Sequence, residues 1–201
     1  MAKIKHTKNE LKAQRDALKR FERYLPTLQL KKQQLQLEMR NLEKKIEELL
    51  HEQRREEDRL KKWIALFSEP FDFEAHLRLV RVETSTGNIA GVTIPIFEKA
   101  VFEEKTPDLL ATPPWVDDGM RALKHMTEFR LHREILEEEH RLLGEELRVT
   151  NQRVNLFEKV KIPQTREHIR VIRVFLGDQQ TAEVARAKIA KGKATAREQA
   201  A

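Results

Sequence analysis

Apolar residues recur every three or four positions along the first third of the chain, and the positions between them are mostly Lys, Arg, Glu and Gln. A repeat of 3.5 residues sustained over this length predicts one long helix that supercoils against a partner helix. We therefore expect a coiled-coil helix over residues 7–67. Its apolar seam comprises Leu11, Leu18, Phe21, Leu25, Leu28, Leu35, Met39, Leu42, Ile46, Leu49, Leu60, Trp63 and Phe67.

Local signals mark the ends of this helix and one irregularity inside it. Thr7 precedes Glu10 by three residues, the arrangement of a capping box at a helix N-terminus. Pro26 lies inside the helix, where its missing N–H and its ring are expected to bend or interrupt the backbone. The stretch Ser68-Glu69-Pro70 follows the last seam residue and predicts that the helix ends near residue 67.

Residues 68–112 are predicted to form a connecting segment with β structure. Five of the seven prolines lie between positions 68 and 114, so the helical repeat stops there. Residues 77–82 and 92–97 alternate and are rich in β-branched side chains, which predicts two strands with a turn at residues 84–88. A lone hairpin is barely stable in water, so this one must pack on the helices or on another protein.

A second apolar repeat predicts a helix over residues 113–176, opened by Thr112-Pro113-Pro114, where the lost N–H of proline is harmless. The repeat slips by one position near residue 162, beside Pro163, and these two independent signals predict an irregularity there. The pattern then fades into a basic, Ala- and Lys-rich tail, residues 177–201. The seam of this helix comprises Met126, Phe129, Leu136, Leu143, Leu147, Val154 and Phe157.

Two long helices with apolar seams, joined by a short segment, can bury those seams on each other. The expected fold is mainly α: a long antiparallel two-helix coiled coil with a short β-hairpin between the helices. If pairing begins at Phe67 and Pro114, then Thr7 lies opposite Val174. This register predicts a slender shaft with both chain ends at the same tip.

The composition favours an extended helical protein over one with a large buried core. Of the 201 residues, 36% are charged and only 6% are aromatic, a profile typical of coiled coils. Cysteine is absent, which excludes disulfides and thiol chemistry. No apolar run approaches the ~20 residues that a membrane span needs. We expect a soluble, cytoplasmic protein.

The net charge of +6 is concentrated at the two ends of the chain, while the middle is nearly balanced. One interpretation is that the ends are solvated tails that aid solubility. The other is that both ends contact one acidic surface, such as phosphate, anionic lipid or a carboxylate-rich protein. The basic residues concerned are Lys3, Lys5, Lys8, Arg186, Lys188, Lys191 and Lys193.

The sequence offers no residues for catalysis, for a cofactor or for a metal. Glu48 and Glu137 each precede a histidine by three residues, as in di-iron bundles, but such sites need Glu from two further helices. No glycine-rich phosphate loop, Ser-His-Asp set or cysteine nucleophile can be assembled. We therefore expect no catalytic, cofactor-binding or metal-binding site.

A more specific pattern follows residue 150. It comprises Arg153, Val154, Asn155, Glu158, Ile162 and Pro163, and then spaced Ile169, Ile172 and Leu176. This pattern resembles the carboxy-terminal signature of the D subunit of the V/A-type (vacuolar/archaeal-type) rotary ATPases and ATP synthases. Thr7–Leu11 and Asn88–Pro95 are also similar to that family. Leu156 and Phe157 depart from it, because the family usually has Ala and Leu there.

The resemblance implies a non-catalytic central rotor shaft, an antiparallel coiled coil whose two termini enter the hexamer of A and B subunits. Its lower part would bind the F subunit and seat on the funnel-shaped C (or d) subunit above the membrane ring. Such a chain would be cytoplasmic and peripheral to the membrane, within a complex that hydrolyses or makes ATP. It would bind no nucleic acid and would not insert into the membrane. Its basic ends would contact the hexamer.

Two other functions stay open on the residues alone. A coiled-coil adaptor or tether would join other proteins without turning, and binding to a nucleotide-hydrolysing hexamer distinguishes the shaft from it. A basic helical hairpin that binds nucleic acid would show a steep salt dependence with DNA or RNA. The aromatic residues expected between the basic ones at such a site are missing after Phe175.

Overall fold

The computed structural model describes residues 4–108 and 112–199, with side chains up to residue 194. In chain order the elements are α1 (Lys8–Leu60), a 3-10 helix (Ile64–Ser68), α2 (Phe73–His76), β1 (Leu77–Ile89), β2 (Val92–Glu104), α3 (Val116–Asn155), a π-helical turn (Leu156–Lys161) and α4 (Ile162–Gln199). A two-stranded antiparallel sheet thus lies between long helices. The predicted fold class, mainly α with a β-hairpin between the helices, is confirmed.

The chain forms two compact units. The terminal unit comprises Met1–Leu30 and Thr150–Ala201, and the central unit comprises Lys31–Val149. Both α1 and α3 contribute to each unit, because each helix runs across a boundary between them.

In the terminal unit, the start of α1 packs antiparallel against the last part of the chain. The ring centroids of His6 and Phe175 are 4.7 Å apart. Further along α1, Phe21 contacts Phe157 at 5.2 Å. The partner's number falls as the number along α1 rises, which defines antiparallel pairing. The buried apolar residues of this unit include Val154, Ile162, Ile169 and Ile172.

The start of α1 has the predicted cap. Of the bend or interruption expected at Pro26, the interruption does not occur. The Glu10 N–H donates to Thr7 Oγ1 at 3.2 Å, which confirms the capping interaction. Helix α1 continues through Pro26 without interruption. Both Pro26 and Glu22, whose carbonyl loses its intrahelical donor, are exposed, so water can hydrate that carbonyl.

The irregularity predicted near residue 162 is confirmed as the π-helical turn Leu156–Lys161. The Ile162 N–H donates to the Phe157 carbonyl, five residues back instead of four. The wider turn absorbs one extra residue, and this explains the one-position slip of the apolar repeat. Pro163 follows at once, where its missing N–H would leave a gap in a regular α-helical ladder.

The predicted end of the second helix at residue 176 is wrong, because α4 continues to Gln199. Every residue from 177 to 194 is exposed, so the apolar repeat ends where the sequence indicated. The helix persists because Ala, Lys, Arg, Gln and Glu in this segment are strong helix formers. Beyond residue 176 the side chains are no longer buried, and helical propensity keeps this part of α4 helical.

In the central unit, α1 ends earlier than the predicted residue 67. The last α-helical residue is Leu60, and Trp63 has non-helical dihedrals before the 3-10 helix begins. Aromatic residues pack where α1 has ended: Phe67 lies 5.3 Å from Phe73 and 5.2 Å from Trp115, centroid to centroid. These rings bring the connecting segment and the start of α3 together.

The hairpin turn lies at Ala90–Gly91, so the predicted turn at residues 84–88 is wrong. Ala90 and Gly91 have φ values of 51° and 83°, as a two-residue turn with the twist of a hairpin requires. The Asn88 side-chain oxygen accepts from the Gly91 N–H at 3.0 Å. Residues 84–88 instead continue β1, with Thr84 opposite Phe97, because β-branched threonines suit a strand.

The hairpin packs against the helices of the central unit. Ile94, only 3% exposed, belongs to one apolar cluster with Leu35 and Leu42 of α1 and Leu136 and Leu143 of α3. The expectation that the hairpin must lean on the helices is confirmed. The hairpin therefore forms a third layer over the helix seam in this unit.

Two glycine substitutions are expected to act in opposite directions. Gly91→Ala forces a Cβ into the left-handed region at φ 83°, and should lower the free energy of unfolding by about 1 kcal/mol. Gly177→Ala adds a Cβ with no heavy atom within 4 Å in exposed α4, and should stabilise that helix by about 0.5–1 kcal/mol. Circular dichroism during thermal unfolding measures both. A Gly91→Ala protein as stable as the parent would contradict the described turn.

Candidate interaction surfaces

The predicted seam residues all lie away from solvent, either buried or half-buried. In the central unit, Leu35, Leu42 and Leu49 are 0%, 4% and 8% exposed. In the terminal unit the α1 seam is more open, since Leu11 and Leu18 are only half-buried. The half-buried positions are Leu11, Leu18, Phe21, Leu25, Leu28, Met39, Ile46, Leu60, Trp63, Phe67, Met126, Phe129, Leu147 and Phe157, and the buried ones on the second helix are Leu136, Leu143 and Val154.

Charged residues also cross between α1 and α3 in the central unit. Lys31 Nζ lies 2.6 Å from Glu146 Oε1, and both side chains are about one-third exposed. His140 Nε2 lies 3.5 Å from Glu43 Oε1. These contacts link the two helices alongside the apolar seam and help to fix their register.

Glu139 is a buried carboxyl group that the sequence pattern missed. It is 7% exposed, although it is not among the predicted seam residues, of which Leu136 and Leu143 are the neighbours on either side. Burial raises its pKa above the ordinary value, and the charge of Lys45 opposes this only in part. Burial likewise lowers the pKa of His132, with Lys45 adding to the effect, and the His132 ring stacks on Phe97 at 5.0 Å.

Replacing Glu139 by Gln is expected to stabilise the protein at neutral pH. A carboxyl group whose pKa is raised on folding favours the folded state at low pH, and loses that contribution as the pH rises through the folded pKa. The melting temperature of Glu139→Gln should therefore exceed that of the parent at pH 7, with the difference vanishing near pH 4. Thermal unfolding across this pH range measures the effect.

Its neighbour supplies the matched control. Glu138 is hydrogen-bonded to Arg141, which lowers the pKa of Glu138. Glu138→Gln should thus give no gain at pH 7. Equal stabilisation by both substitutions would show that the burial of Glu139 is not the cause.

The basic residues predicted to contact a partner lie at the surface of the terminal unit. Lys5 precedes α1 and Lys8 begins it, and both are exposed. Lys8 shares a cleft with Glu183 of α4. Lys3 lies outside the described residues. Arg186, Lys188, Lys191 and Lys193 occupy the exposed continuation of α4.

The residues of the family-like pattern divide between the packed interior and the surface. Val154 and Ile162 are 4% and 7% exposed and bracket the π-helical turn. Asn155 is half-buried. The exposed members are Arg153, Glu158 and Pro163. The pattern therefore encodes a backbone irregularity together with the buried residues on either side of it.

A second cleft, of about 540 Å³, lies beside the aromatic cluster of the central unit. Trp63 and Trp115 line it together with charged residues that include Glu56 and Arg59. The Trp115 Nε1–H donates to Glu69 at 2.8 Å, which orients the indole. No pattern in the sequence predicts this cleft, because its walls come from segments about 50 residues apart.

Within the described residues, no group of three or more His, Asp or Glu side chains is placed to hold a metal ion. A search of the described helices likewise finds none with the length and apolarity to cross a membrane.

Comparison with known proteins identifies the family. The sequence profile that describes the D subunit of ATP synthase matches residues 10–192. The chain belongs to the ATP synthase D subunit family. The V-type ATP synthase D subunit from Borreliella burgdorferi is 50% identical over 191 residues, 95% of each chain. The V-type ATP synthase D subunit of Chlamydia muridarum is 36% identical over 195 residues, 96% of each chain.

The V-type ATP synthase D subunit from Chlamydia abortus is 34% identical over 195 residues, which cover 96% of this chain and 94% of the relative. The resemblance inferred from Arg153, Asn155 and Pro163 is therefore confirmed over nearly the whole chain. As a member of the D subunit family, the chain is a component of a V-type ATP synthase complex.

Proposed function

We propose that this D subunit is the central-stalk rotor of a V/A-type rotary ATPase or ATP synthase. It transmits torque between the catalytic hexamer of A and B subunits and the ion-translocating ring in the membrane. One observation supports this most strongly: the start of α1 packs antiparallel against the last part of the chain in one unit, and from there a basic helix continues with exposed side chains as far as residue 194. Membership of the D subunit family supports the same role.

A rotor shaft needs mechanical properties and no catalytic residues of its own. It must resist twisting, which interlocked seams such as Leu42 and Leu143 provide, and it must present different faces to equivalent catalytic sites. The antiparallel pair of unlike helices is asymmetric by construction. We therefore assign no catalytic residue to this chain, and place ATP hydrolysis or synthesis in its partners.

The proposed partners are the A and B subunits, the F subunit and the funnel-shaped C (or d) subunit above the membrane ring. The shaft works on the cytoplasmic side, peripheral to the membrane and attached through the complex. The exposed part of α4 is the proposed contact with the hexamer. Its small residues Ala187 and Ala190 make no deep interlocks, while Arg186 and Lys188 attract carboxylates. Such a surface can turn inside a ring without being trapped.

A reversible crosslink between the shaft and the hexamer tests this function. The chain has no cysteine, so Ala190→Cys in exposed α4 gives a unique attachment point for a cleavable photoreactive reagent. After crosslinking within the assembled complex, ATP hydrolysis should fall in proportion to the yield of adducts with A or B. Cleavage of the crosslink by a reducing agent should restore ATP hydrolysis. A rotor that is covalently linked to the hexamer cannot turn within it.

The same experiment separates the rotor from the alternative, a static adaptor or tether. A tether can be crosslinked without loss of ATP hydrolysis, because its function requires no motion relative to the hexamer. Full activity at high crosslinking yield would therefore reject the rotor. A complex labelled at Ala190→Cys but kept in the dark controls for the chemical modification.

A further inference from the structure

The middle of the β-hairpin contacts α3 through a pair of stacked rings. The Phe97 ring of β2 lies on the His132 ring of α3, with the centroids 5.0 Å apart and the ring planes 20° from parallel. Both side chains are half-buried. The neighbours of Phe97 along β2 are open to solvent, since Ile96 is 41% exposed and Glu98 is exposed as well. At this point along the strand, Phe97 therefore makes the contact with α3.

The hairpin ladder is interrupted beside this contact. Glu83 pairs with Lys99 and Thr84 pairs with Phe97, so Glu98 is an extra residue in β2, a β-bulge. The extra residue of a bulge is left out of the ladder, and the strand bends there. The Lys99 ammonium also lies 3.2 Å from a Glu83 carboxylate oxygen. The ionisable residues of this part of β2 are thus Glu98, which is exposed, and Lys99, which already has a partner.

The two ends of the hairpin are attached to the helices by other residues. Near the turn, Ile94 is 3% exposed and belongs to the apolar cluster of α1 and α3. At the base, Glu104 forms an ion pair with Lys124 of α3. The Lys124 ammonium also lies 5.6 Å from the centre of the Phe102 ring. These contacts hold the two ends independently of His132.

A positive charge on His132 would have no acidic partner. Within the described part of the chain, no carboxylate forms an ion pair or a hydrogen bond with its ring. Lys45 of α1 instead places a second positive charge near it. Burial and, to a smaller extent, the charge of Lys45 lower the pKa of His132. The neutral ring is therefore the form that suits the contact with Phe97.

Two carboxyl groups of α3 lie on either side of His132 along the helix. Glu128 is one turn earlier and forms no ion pair with it in the described structure. Glu139 is two turns later on the same face, and burial raises its pKa, with Lys45 opposing this in part. As the pH falls, protonation of Glu139 removes a negative charge from the surroundings of Lys45. The repulsion between Lys45 and a protonated His132 is left in place.

We propose that His132 is a pH-sensitive switch in the hairpin: its neutral ring holds the middle of β2 against α3, and its protonation releases that stretch. The imidazolium loses hydration when the strand is docked and is repelled by Lys45. Docking is therefore complete above the ordinary histidine pKa of about 6.5, and weakens as the pH falls below it. The ends of the hairpin remain attached. The switch belongs to the isolated chain and operates whether or not the chain is a rotor.

Hydrogen exchange of the β2 amides tests the switch in the full-length chain. Mass spectrometry follows a peptide that includes Phe97 at about pH 7.5 and about pH 5.5, with each rate divided by its intrinsic rate. In the parent, protection of this peptide should fall about threefold or more on acidification. His132→Phe keeps a ring for stacking but cannot be protonated. Its protection should be the same at both pH values.

Three further variants serve as controls. His125→Phe replaces an exposed histidine seven residues earlier on α3, and should respond to pH like the parent. Lys45→Met removes the charge that repels the imidazolium, so the fall in protection should become smaller. Glu139→Gln retains both His132 and Lys45, and should still show the fall. Circular dichroism at both pH values confirms that each variant is folded.

Equal loss of protection in the parent and in His132→Phe would overturn the switch, and so would unchanged protection in the parent. A gain of protection at low pH would also overturn it, because attraction of the imidazolium to the Phe97 ring would then hold the strand more tightly. Titration of the His132 ring by NMR needs no variant. A midpoint below the ordinary value supports the switch, whereas a midpoint at or above that value contradicts it.

Discussion

Leu35→Ala is expected to lower the free energy of unfolding by about 3 kcal/mol, because it leaves a cavity where two helices and the hairpin meet. Leu35 is fully buried, and the cluster around it includes Ile94 of the hairpin and Leu143 of α3. Urea denaturation followed by circular dichroism measures the loss.

Leu37→Ala is the matched control for this prediction. Leu37 lies two residues further along the same helix and is 57% exposed. The same change of side chain there should alter the free energy of unfolding by less than about 0.5 kcal/mol. If the two variants were equally destabilised, the burial of Leu35 would not be the cause, and the packing of the hairpin over the seam would be wrong.

Neutralising the exposed basic residues of α4 should sharply weaken assembly with the A–B hexamer. The variant replaces Arg186, Lys188, Lys191 and Lys193 by Gln. We expect binding to fall about tenfold or more at low salt, and its salt dependence to flatten, because long-range attraction between exposed charges is what salt screens. The isolated chain should unfold at an unchanged temperature, because these side chains are exposed.

A control with the same loss of charge distinguishes local contact from net charge. Replacing Arg54, Arg55, Lys61 and Lys62 by Gln removes four exposed cations from the central unit. The binding of this control variant to the isolated A–B hexamer should be nearly unaffected. Unchanged assembly of the α4 variant would reject the electrostatic contact, while the rotor proposal would still depend on the crosslinking result.

The helix seam could be predicted from sequence because its signal repeats many times. Each apolar position from Leu11 to Phe67 is weak evidence alone, but a sustained 3.5-residue period has one physical explanation. The irregularity near Pro163 was predictable for a similar reason, since two independent signals coincided. The continuation of α4 was missed because the end of burial was taken as the end of the helix.

Local turn chemistry was harder to interpret. Residues 84–88 contain Ser, Gly and Asn, which are typical of turns, and yet they pair along the hairpin. Ile96 packs beside Gly87: a Cβ there would lie 2.7 Å from the Ile96 Cδ1 atom, so any larger residue would require the Ile96 side chain to shift. The actual turn contains Ala90, which the two-residue hairpin turn holds in the left-handed region, where an L-residue with a side chain is uncommon.

The candidate surfaces also differ in how readily the sequence predicts them. The basic ends are clusters in sequence, and were found from charge alone. A groove in the terminal unit is lined by residues on one face of α1, such as Arg15, and by residues of α4, such as Arg173, about 160 positions away in the chain. Asp16 and Glu22 line the same groove and offset part of its positive charge. Only pairing of the helices brings the cations onto one surface.

At the π-helical turn, the chain can lose a residue without changing the direction in which the later side chains point. Elsewhere in α3 or α4, losing one amino acid would rotate every later side chain by about 100° and turn the apolar face away from α1. Between Leu156 and Lys161 the extra residue is already accommodated in a wide turn. Losing it would let the turn tighten into ordinary α-helix, with the downstream face still directed at its partner. Single-residue insertions and deletions among relatives should therefore concentrate at this turn.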